Sequence, residues 1–339
     1  MRQIKVLIVE DSVVFRNLLV QGLNEDPNID VVGVAGDPFE AKDLIPQCKP
    51  DVMTLDIEMP KMNGIEFLRK MMPQYPMPVI MLSGMDDKVF DAMEAGAVDF
   101  AHKPVNMSRT TVNEFIRQEL IAKIKIAASV DVRKLHRAEV SRPVRWDRLS
   151  NRNCIIAIGA STGGTEAIYD IIKHFHKDIP GVVIVQHMPA GFTEMYAARM
   201  NNQCVVEVKE AKDGDAVKRG QVLIAPGGYQ MRLVKSGSEY CVECKKEQKV
   251  SGHCPSVDVL FDSVAKTAGA DSIGIILTGM GGDGSKGMKS MKNSGAVTIG
   301  QDEATSVVYG MPRVAYDIGA VRYQLPLCDI AHKIYSLLE

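Results

Sequence analysis

Serine, histidine and aspartate residues follow three apolar runs in the second half of the chain. Ser161 lies in Gly159-Ala-Ser-Thr-Gly163, which has the G-x-S-x-G spacing of a nucleophile elbow. His187 follows the run VVIVQ, and Asp283 lies in the glycine-rich stretch after SIGIIL. A serine nucleophile, a histidine base and a carboxylate that orients the histidine are the groups that acyl transfer requires. The spacing therefore indicates a serine hydrolase.

Other interpretations of these residues stay open at this point. The loop around Ser161 could cradle a phosphate, but it lacks the G-x-G-x-x-G spacing and no lysine follows as in a P-loop. The loop around Asp283 could be an anion-binding nest, and His187 could be structural. The chain order Ser-His-Asp differs from the Ser-Asp-His order of α/β-hydrolases, which disfavours an ordinary lipase or esterase.

A second set of chemical groups follows predicted strands in the first half of the chain. Glu10 and Asp11 follow the first strand, Asp56 ends the third, Ser83 ends the fourth, and Lys103 follows the fifth. The carboxyl ends of parallel strands meet at one edge of a sheet, so we expect these groups to lie close together. Converging carboxylates repel one another unless a cation lies among them, and a hard divalent ion such as Mg²⁺ fits that need. The aspartate after the third strand could then attack a phosphoryl group as a nucleophile, with the metal and the lysine balancing charge.

The pattern of apolar runs predicts two α/β domains. Over residues 1–128, β-branched runs alternate with helical segments, and the strand runs are IKVLIVED, DVVGVAG, DVMTLDIEMP, PVIMLSG and AVDFAHKP. Such βα units predict a parallel sheet with right-handed crossovers. Residues 129–150 are basic and lack a sustained apolar period, which is typical of an interdomain linker. Strand and helix signals resume at Cys154, so residues 151–339 form a second predicted α/β domain.

The composition is typical of a globular protein, and the net charge gives no general attraction to nucleic acid. The chain has 339 residues, of which 46% are hydrophobic and 24% charged, and its net charge is -2. These values disfavour nucleic-acid binding, and no apolar run reaches the roughly 18 residues that a membrane span needs. The N-terminal residues lack a signal-peptide pattern, and several of the seven cysteines lie in apolar runs. We therefore expect a cytoplasmic protein.

The motifs together resemble one protein family. The acid pair, Asp56, Ser83 and Lys103-Pro104 resemble the receiver domain of two-component response regulators. With GASTGG, QHMP, PSVDVLF and LTGMGGDG in the second half, the whole chain resembles the chemotaxis protein-glutamate methylesterases, the CheB family. The resemblance implies a flavodoxin-like receiver with a five-stranded parallel sheet at residues 1–128. It also implies a doubly wound, mostly parallel α/β methylesterase domain at residues 151–339.

For the receiver, the resemblance implies a phosphorylation site. Asp56 would be the phospho-acceptor, Ser83 would bond the phosphoryl oxygens, and Phe100 would be the aromatic ring that moves with it. Lys103 would balance charge on the transferred group. The resemblance also implies a Mg²⁺ site whose ligands are Glu10, Asp11, Asp56 and the backbone carbonyl of Glu58. A chemotaxis histidine kinase would be the phosphodonor.

For the second domain, the resemblance implies hydrolysis of glutamate γ-methyl esters on the cytoplasmic domains of methylated chemoreceptors. Methanol would be released, and particular receptor glutamines would be deamidated. Ser161 would be the nucleophile, His187 the general base and then acid, and Asp283 the group that orients the imidazole. The backbone N–H of Thr162, at a helix start, and that of Met280 would form the oxyanion site. No cofactor is implied for this reaction, and neither nucleic acid nor direct membrane insertion is expected.

Regulation and two rival functions remain to be tested. The resemblance implies that the unphosphorylated receiver covers the catalytic cleft and that phosphorylation of Asp56 weakens this packing. The rivals are an amidase that acts on a different protein and an effector domain that only binds a partner.

A cysteine-rich stretch raises two further questions. Cys254 stands where the family pattern has a basic residue, which puts substrate recognition there in doubt. Cys241, Cys244, His253 and Cys254 raise the question of a zinc site, but the alternation in EYCVECKK would send Cys241 and Cys244 to opposite faces of a strand.

Overall fold

A computed structural model describes residues 2–84, 88–132 and 154–339. The chain divides into two units, Met1–Arg137 and Ala138–Glu339. Most of the predicted linker, residues 129–150, lies outside the described residues.

The first unit contains the five predicted strands in one parallel sheet. They are β1 (Ile4–Val9), β2 (Ile29–Ala35), β3 (Val52–Asp56), β4 (Val79–Ser83) and β5 (Asp99–His102). The strand order β2-β1-β3-β4-β5 is that of the flavodoxin-like fold, as expected. β3 and β4 are buried along their whole length, which explains their continuous apolar sequences, because helices cover both faces of a parallel sheet.

The helices of the first unit begin at residues suited to capping. They are α1 (Val13–Leu23), α2 (Pro38–Cys48), α3 (Gly64–Met71), α4 (Lys88–Glu94), α5 (Arg109–Phe115) and α6 (Ile121–Ala127). The side chains of Ser12, Asp37 and Asn63 accept hydrogen bonds from the first turns of α1, α2 and α3. A π-helical segment, Ile116–Leu120, joins α5 to α6. The helical segment expected after the fifth strand is therefore present, but it contains a π segment that the periodicity did not indicate.

The second unit is built on a seven-stranded parallel sheet, β14-β13-β12-β6-β7-β9-β8, with a separate antiparallel hairpin, β10-β11. Its strands are β6 (Ile155–Ala160), β7 (Gly181–Gln186), β8 (Glu207–Glu210), β9 (Gln221–Ile224), β10 (Gln230–Ser236), β11 (Glu239–Lys245), β12 (Ser272–Ile276), β13 (Val297–Gln301) and β14 (Tyr323–Leu325). The chain starts in the middle of the sheet at β6 and extends it in both directions. This doubly wound order places β12, β6 and β7 side by side, so their carboxyl ends form one crevice.

Helices pack around this sheet, and the predicted fold class is confirmed. They are α7 (Gly164–Ile172), α8 (Phe192–Gln203), α9 (Val257–Thr267), α10 (Ser285–Asn293), α11 (Met311–Asp317) and α12 (Leu327–Leu338). A buried core joins α9 to the sheet through Leu260, Phe261 and Val264. Within the described ranges, no helix has the length and apolar character needed to cross a bilayer.

Gly159 and Gly163 flank Ser161 for two different reasons. Gly163 has φ 75° and precedes the first residue of α7, so it provides the turn that the sequence predicts. Gly159 lies within β6 instead. A Cβ at Gly159 would lie 2.1 Å from Cγ1 of Val257, the first residue of α9. The missing side chain at Gly159 therefore lets α9 pack directly against the end of β6.

Gly159→Ala should destabilise the second unit because the added methyl group forces Val257 away from the sheet. Overpacking of this kind typically costs about 1–3 kcal/mol. Urea unfolding, followed by circular dichroism, measures the loss in the free energy of unfolding. The double variant Gly159→Ala/Val257→Ala should recover part of it, and strictly additive losses would contradict the explanation.

Candidate active site

The three predicted catalytic residues lie at the ends of three adjacent strands. Ser161 follows β6, His187 follows β7, and Asp283 lies in the loop after β12. The backbone N–H of Ser161 donates to the carbonyl of Thr278 at 3.0 Å, and that of His187 donates to the carbonyl of Ala160 at 3.1 Å. Residues far apart in the sequence are thus brought to one edge of the sheet.

His187 and Asp283 form a buried pair. The distance between His187 Nε2 and Asp283 Oδ2 is 2.7 Å, and their side chains are 8% and 1% exposed. Burial alone would raise the pKa of Asp283, but hydrogen bonds from His187, Ser256 and Val257 hold that pKa below its usual value. An ionised Asp283 can only accept a hydrogen bond from Nε2, so the tautomer that fits carries its hydrogen on Nε2.

The other imidazole nitrogen of His187 is then available as a base. In the part of the chain that the structure describes, Nδ1 is buried and has no hydrogen-bond partner. Its lone pair is left to accept the proton of a nucleophile. The contact to the aspartate is therefore made by the opposite nitrogen from that of chymotrypsin-like proteases, where Nδ1 bonds the aspartate.

The Asp283 carboxylate also caps a helix. Its oxygens accept hydrogen bonds from Ser256 Oγ at 2.7 Å, from the N–H of Val257 at 2.7 Å and from the N–H of Asp258 at 3.1 Å. The last two groups belong to the first turn of α9, whose unpaired N–H groups favour a negative charge. Sequence reasoning used PSVDVLF only for the resemblance and missed this role. A serine before an apolar helical run is a capping signal that could have marked the helix start.

The main chain of Ser161 is held in place on the side of α7. Its carbonyl accepts hydrogen bonds from Gln186 Nε2 at 2.9 Å and from the N–H of Gly164 at 2.7 Å. Gln186 is buried at the end of β7, immediately before His187. The residue before the predicted base thus fixes the position of the predicted nucleophile.

The two predicted oxyanion donors lie on loops next to Ser161. Thr162 lies between Ser161 and the start of α7, and its carbonyl accepts a hydrogen bond from Thr278 Oγ1 at 3.0 Å. A Cβ at Gly279 would lie 2.6 Å from the Cβ of Ser161, so the loop that carries Met280 passes close to the nucleophile. The roles of the Thr162 and Met280 N–H groups stay predictions.

The first unit places the predicted acidic residues together. Oxygen atoms of Glu10, Asp11 and Asp56 lie within 4.8 Å of one another, and this is the cluster in the described ranges that could hold a metal ion. Lys103 Nζ lies 2.7 Å from Asp56 Oδ2 and 2.8 Å from Glu10 Oε2. Burial and the charge of Asp56 raise the pKa of Glu10 to about 7. Burial also raises the pKa of Asp56, against the opposing effect of Lys103.

The three carboxylates outnumber the one lysine beside them, and burial, the main cause of the raised pKa values of Glu10 and Asp56, makes their negative charge costly. An oxygen-ligated divalent cation such as Mg²⁺ fits the donor set and the missing charge. Glu58 contacts the cluster through its backbone N–H, which donates to Asp56 Oδ1 at 3.3 Å. Ligation by the Glu58 carbonyl stays a prediction.

The two predicted switch residues lie on the neighbouring strands β4 and β5. Ser83 is buried at the end of β4 and donates from Oγ to the carbonyl of Gly84 at 2.9 Å. Phe100 is buried in β5, edge-on to Phe90 with ring centroids 6.5 Å apart. Their movement on phosphorylation stays a prediction.

Comparisons with known proteins agree with this arrangement. The family model described as CheB methylesterase matches residues 156–334, and the one described as response regulator receiver domain matches residues 6–113. The chain is 58% identical to a protein of Syntrophomonas wolfei named protein-glutamate methylesterase/protein-glutamine glutaminase 2, over 100% of this chain and 99% of that protein. The chain belongs to the CheB methylesterase family.

Other members of the CheB family are similar over the whole chain or over its second unit. A protein-glutamate methylesterase/protein-glutamine glutaminase of Syntrophotalea carbinolica is 48% identical over 100% of this chain and 98% of its own. The crystal structure of the Thermotoga maritima CheB methylesterase catalytic domain is 38% identical, with a TM-score of 0.53, over 54% of this chain and 98% of that domain. The predicted family and two-part organisation of the fold are thus confirmed.

Within this CheB-family site, His253 lies beside His187, a position that the sequence did not predict. Its ring stacks on that of His187, with centroids 3.6 Å apart and planes 5° from parallel. Burial and the nearby His187 lower the pKa of His253 to about 4, so the ring is neutral at pH 7. The sequence raised His253 only as a zinc ligand. Cys241 and Cys244 lie in β11, opposite Val234 and Met231 of β10, as the predicted alternation requires.

Protonation of His253 in the unfolded chain should lower the stability of the native state in mild acid. The native state protonates it only near pH 4, whereas the unfolded chain does so near 6.5, so protons favour unfolding as pH drops through this interval. His253→Phe keeps a stacked ring without a titrating group. Urea midpoints at pH 7 and pH 5 should therefore differ less in His253→Phe than in the unmodified protein, and an equal difference would contradict this explanation.

Proposed function

We propose that this chain hydrolyses glutamate γ-methyl esters on the cytoplasmic domains of methylated chemoreceptors and releases methanol. We further propose that it deamidates particular glutamines of these receptors and that phosphorylation of Asp56 controls both activities. The observation that carries the proposal is the buried His187–Asp283 pair on the strands that flank Ser161. The names of relatives similar over the full length support the choice of substrate.

Ester hydrolysis begins with Ser161. Its Oγ attacks the carbonyl carbon of the glutamate ester while Nδ1 of His187 takes the hydroxyl proton. The tetrahedral intermediate collapses by breaking the bond to the methoxy oxygen, and His187 returns the proton so that methanol leaves. Water, deprotonated by His187, then hydrolyses the acyl-serine and restores Ser161. With a glutamine substrate the same steps release ammonia.

Asp283 supports the charge that forms on His187. Its pKa is held low, so the carboxylate stays ionised while the imidazole becomes positive. Donors from α9 occupy its other lone pairs, and these hold it in the plane that Nε2 requires. Asp283 therefore orients the ring and stabilises the imidazolium without taking the proton itself.

The oxyanion of the tetrahedral intermediate would be bound by the N–H groups of Thr162 and Met280. Thr162 lies at the start of α7, where the helix dipole favours negative charge. Loss of one such donor typically lowers the rate by about 10²–10³.

In the receiver unit, Asp56 accepts the phosphoryl group. One carboxylate oxygen attacks the phosphorus of the donor, a chemotaxis histidine kinase, whose phosphohistidine bond breaks. Mg²⁺ held by Glu10, Asp11, Asp56 and the Glu58 carbonyl supplies positive charge to the phosphoryl oxygens when bound. Lys103 already contacts Asp56 and would follow the added charge, and the Ser83 hydroxyl would turn from Gly84 toward a phosphoryl oxygen.

The proposed partners lie in the cytoplasm, and we place the protein there as well. The net charge of -2 offers no general attraction to nucleic acid. The substrate is the receptor's methylated cytoplasmic domain, so no insertion of this chain into the membrane is required.

Methanol release from methylated chemoreceptor tests the reaction and its control together. We expect release to rise when a small phosphodonor and Mg²⁺ are added. Ser161→Ala should lower it by about 10⁴-fold or more, because the nucleophile is gone. Asp56→Asn should stay at the basal rate with or without phosphodonor. No release by the unmodified protein, with Asp56 phosphorylated, would refute the proposed substrate and leave the amidase and binding rivals.

Asp283→Asn tests the orientation of His187. An asparagine amide facing Nε2 favours the wrong tautomer, so kcat should fall by about 10⁴-fold. The variant should also unfold at lower urea, because a neutral amide is a poorer acceptor for the N–H groups of α9. Retained kcat in folded protein would exclude the assigned role.

A further inference from the structure

Two buried carboxylates connect α9 and α10 by capping each other's helix. Asp283 precedes α10 and accepts from the N–H groups of Val257 and Asp258 at the start of α9. Asp258 lies in the first turn of α9, and its Oδ1 accepts from the N–H of Gly287 at the start of α10, at 2.9 Å. Asp283 therefore lies at the positive end of α9, and Asp258 lies at the positive end of α10.

The geometry of this contact requires a very close approach of the two helices. A Cβ at Gly287 would lie 2.7 Å from the Cβ of Phe261 and 2.8 Å from the carbonyl oxygen of Asp258. Asp258 is only 9% exposed, and its second oxygen accepts from Ser251 Oγ at 3.2 Å. The Asp258 side chain is thus an enclosed link between two helices and not a solvent-exposed cap.

The segment that carries Asp283 has little stiffness of its own. Gly281 and Gly282 precede Asp283, and Gly284 follows it. Gly281 has φ 86° and Gly284 has φ 88°. Glycines in this region have much conformational freedom, so the position of Asp283 depends on what holds the start of α10.

We propose that Asp258 is a positioning residue for Asp283: by capping α10 at Gly287 it fixes the glycine-rich loop and, through Asp283, the imidazole of His187. This inference rests on the proposed function, which assigns Asp283 its part in the reaction. A displacement of about 1 Å in a catalytic group can cost up to about 10²-fold in rate.

The pKa values of the two carboxylates shift in opposite directions. This is compatible with Asp283 contacting the imidazole and Asp258 holding α10. Burial raises the pKa of Asp258, and the neighbouring charge of Asp283 raises it further, whereas the pKa of Asp283 is held low. His187 contacts Asp283 on the β7 side, and Asp283 accepts from the N–H of Asp258 across the α9–α10 contact.

Three variants of the full-length chain separate positioning from general stability. Asp258→Ala removes the acceptor for the Gly287 N–H. Asp258→Asn keeps it, and the Ser251 hydroxyl can turn to accept from the new amide. Asp262→Ala is the matched control, because Asp262 lies one turn later on α9 and forms an exposed ion pair with Lys266.

The first readout is the downfield proton resonance of His187 Nε2–H, which reports its hydrogen bond to Asp283 without any substrate. Asp258→Ala should shift or broaden it beyond detection, whereas Asp258→Asn and Asp262→Ala should leave it in place. In methanol release, Asp258→Ala should lower kcat by about 10- to 100-fold, with KM within about twofold. Asp258→Asn should stay within about threefold of the unmodified kcat.

An unchanged resonance and kcat in folded Asp258→Ala would overturn the proposal, as would equal losses in the Asn and Ala variants. If Asp258→Ala does not fold, Gly287→Ala displaces the donor of the same hydrogen bond, and an unchanged resonance there would overturn it too. Absence of methanol release from the unmodified protein would refute the proposed function, while the resonance would still decide the role of Asp258.

Discussion

The catalytic unit depends on how one buried anion is compensated. The Asp283 side chain is 1% exposed, and an isolated carboxylate in such a place would be neutralised by protonation. Four donors prevent this: His187 Nε2, Ser256 Oγ and the N–H groups of Val257 and Asp258. Because these donors come from a strand end and a helix start, the carboxylate joins β7, β12 and α9 into one rigid site. Orientation of the base is therefore a consequence of helix packing behind it.

The receiver uses the opposite arrangement of charge. Glu10 and Asp56 share a single cation, Lys103, and the pKa of Glu10 rises to about 7. Burial is the main cause of this rise, and the charge of Lys103 opposes it only in part. The Asp283 site, by contrast, has its charge fully matched by fixed donors. One half of the chain thus holds buried carboxylates whose pKa values are raised, and the other holds a buried carboxylate whose pKa is lowered.

Some features of the site follow short-range patterns and others do not. Strand ends are marked by the change from apolar to polar residues, which is why Ser161, His187 and Asp56 could be proposed from the sequence. The contact of Gly159 with Val257 and the stack of His253 on His187 have no such mark, because each joins segments distant in the chain. The π segment within the helix from Arg109 to Ala127 was also missed, since a single inserted residue hardly alters helical periodicity.

The sequence by itself determined the five strands of the first unit, the class of fold and the residue types available for chemistry, because burial on a parallel sheet imposes a local apolar pattern. Tertiary structure decided which nitrogen of His187 meets Asp283, residues separated by 96 positions in the chain. It also decided that Asp258 and Asp283 cap each other's helix, since the approach at Gly287 depends on how α9 and α10 cross. Local patterns reflect the solvent exposure of each residue, whereas the choice of partner is made only when distant segments pack together.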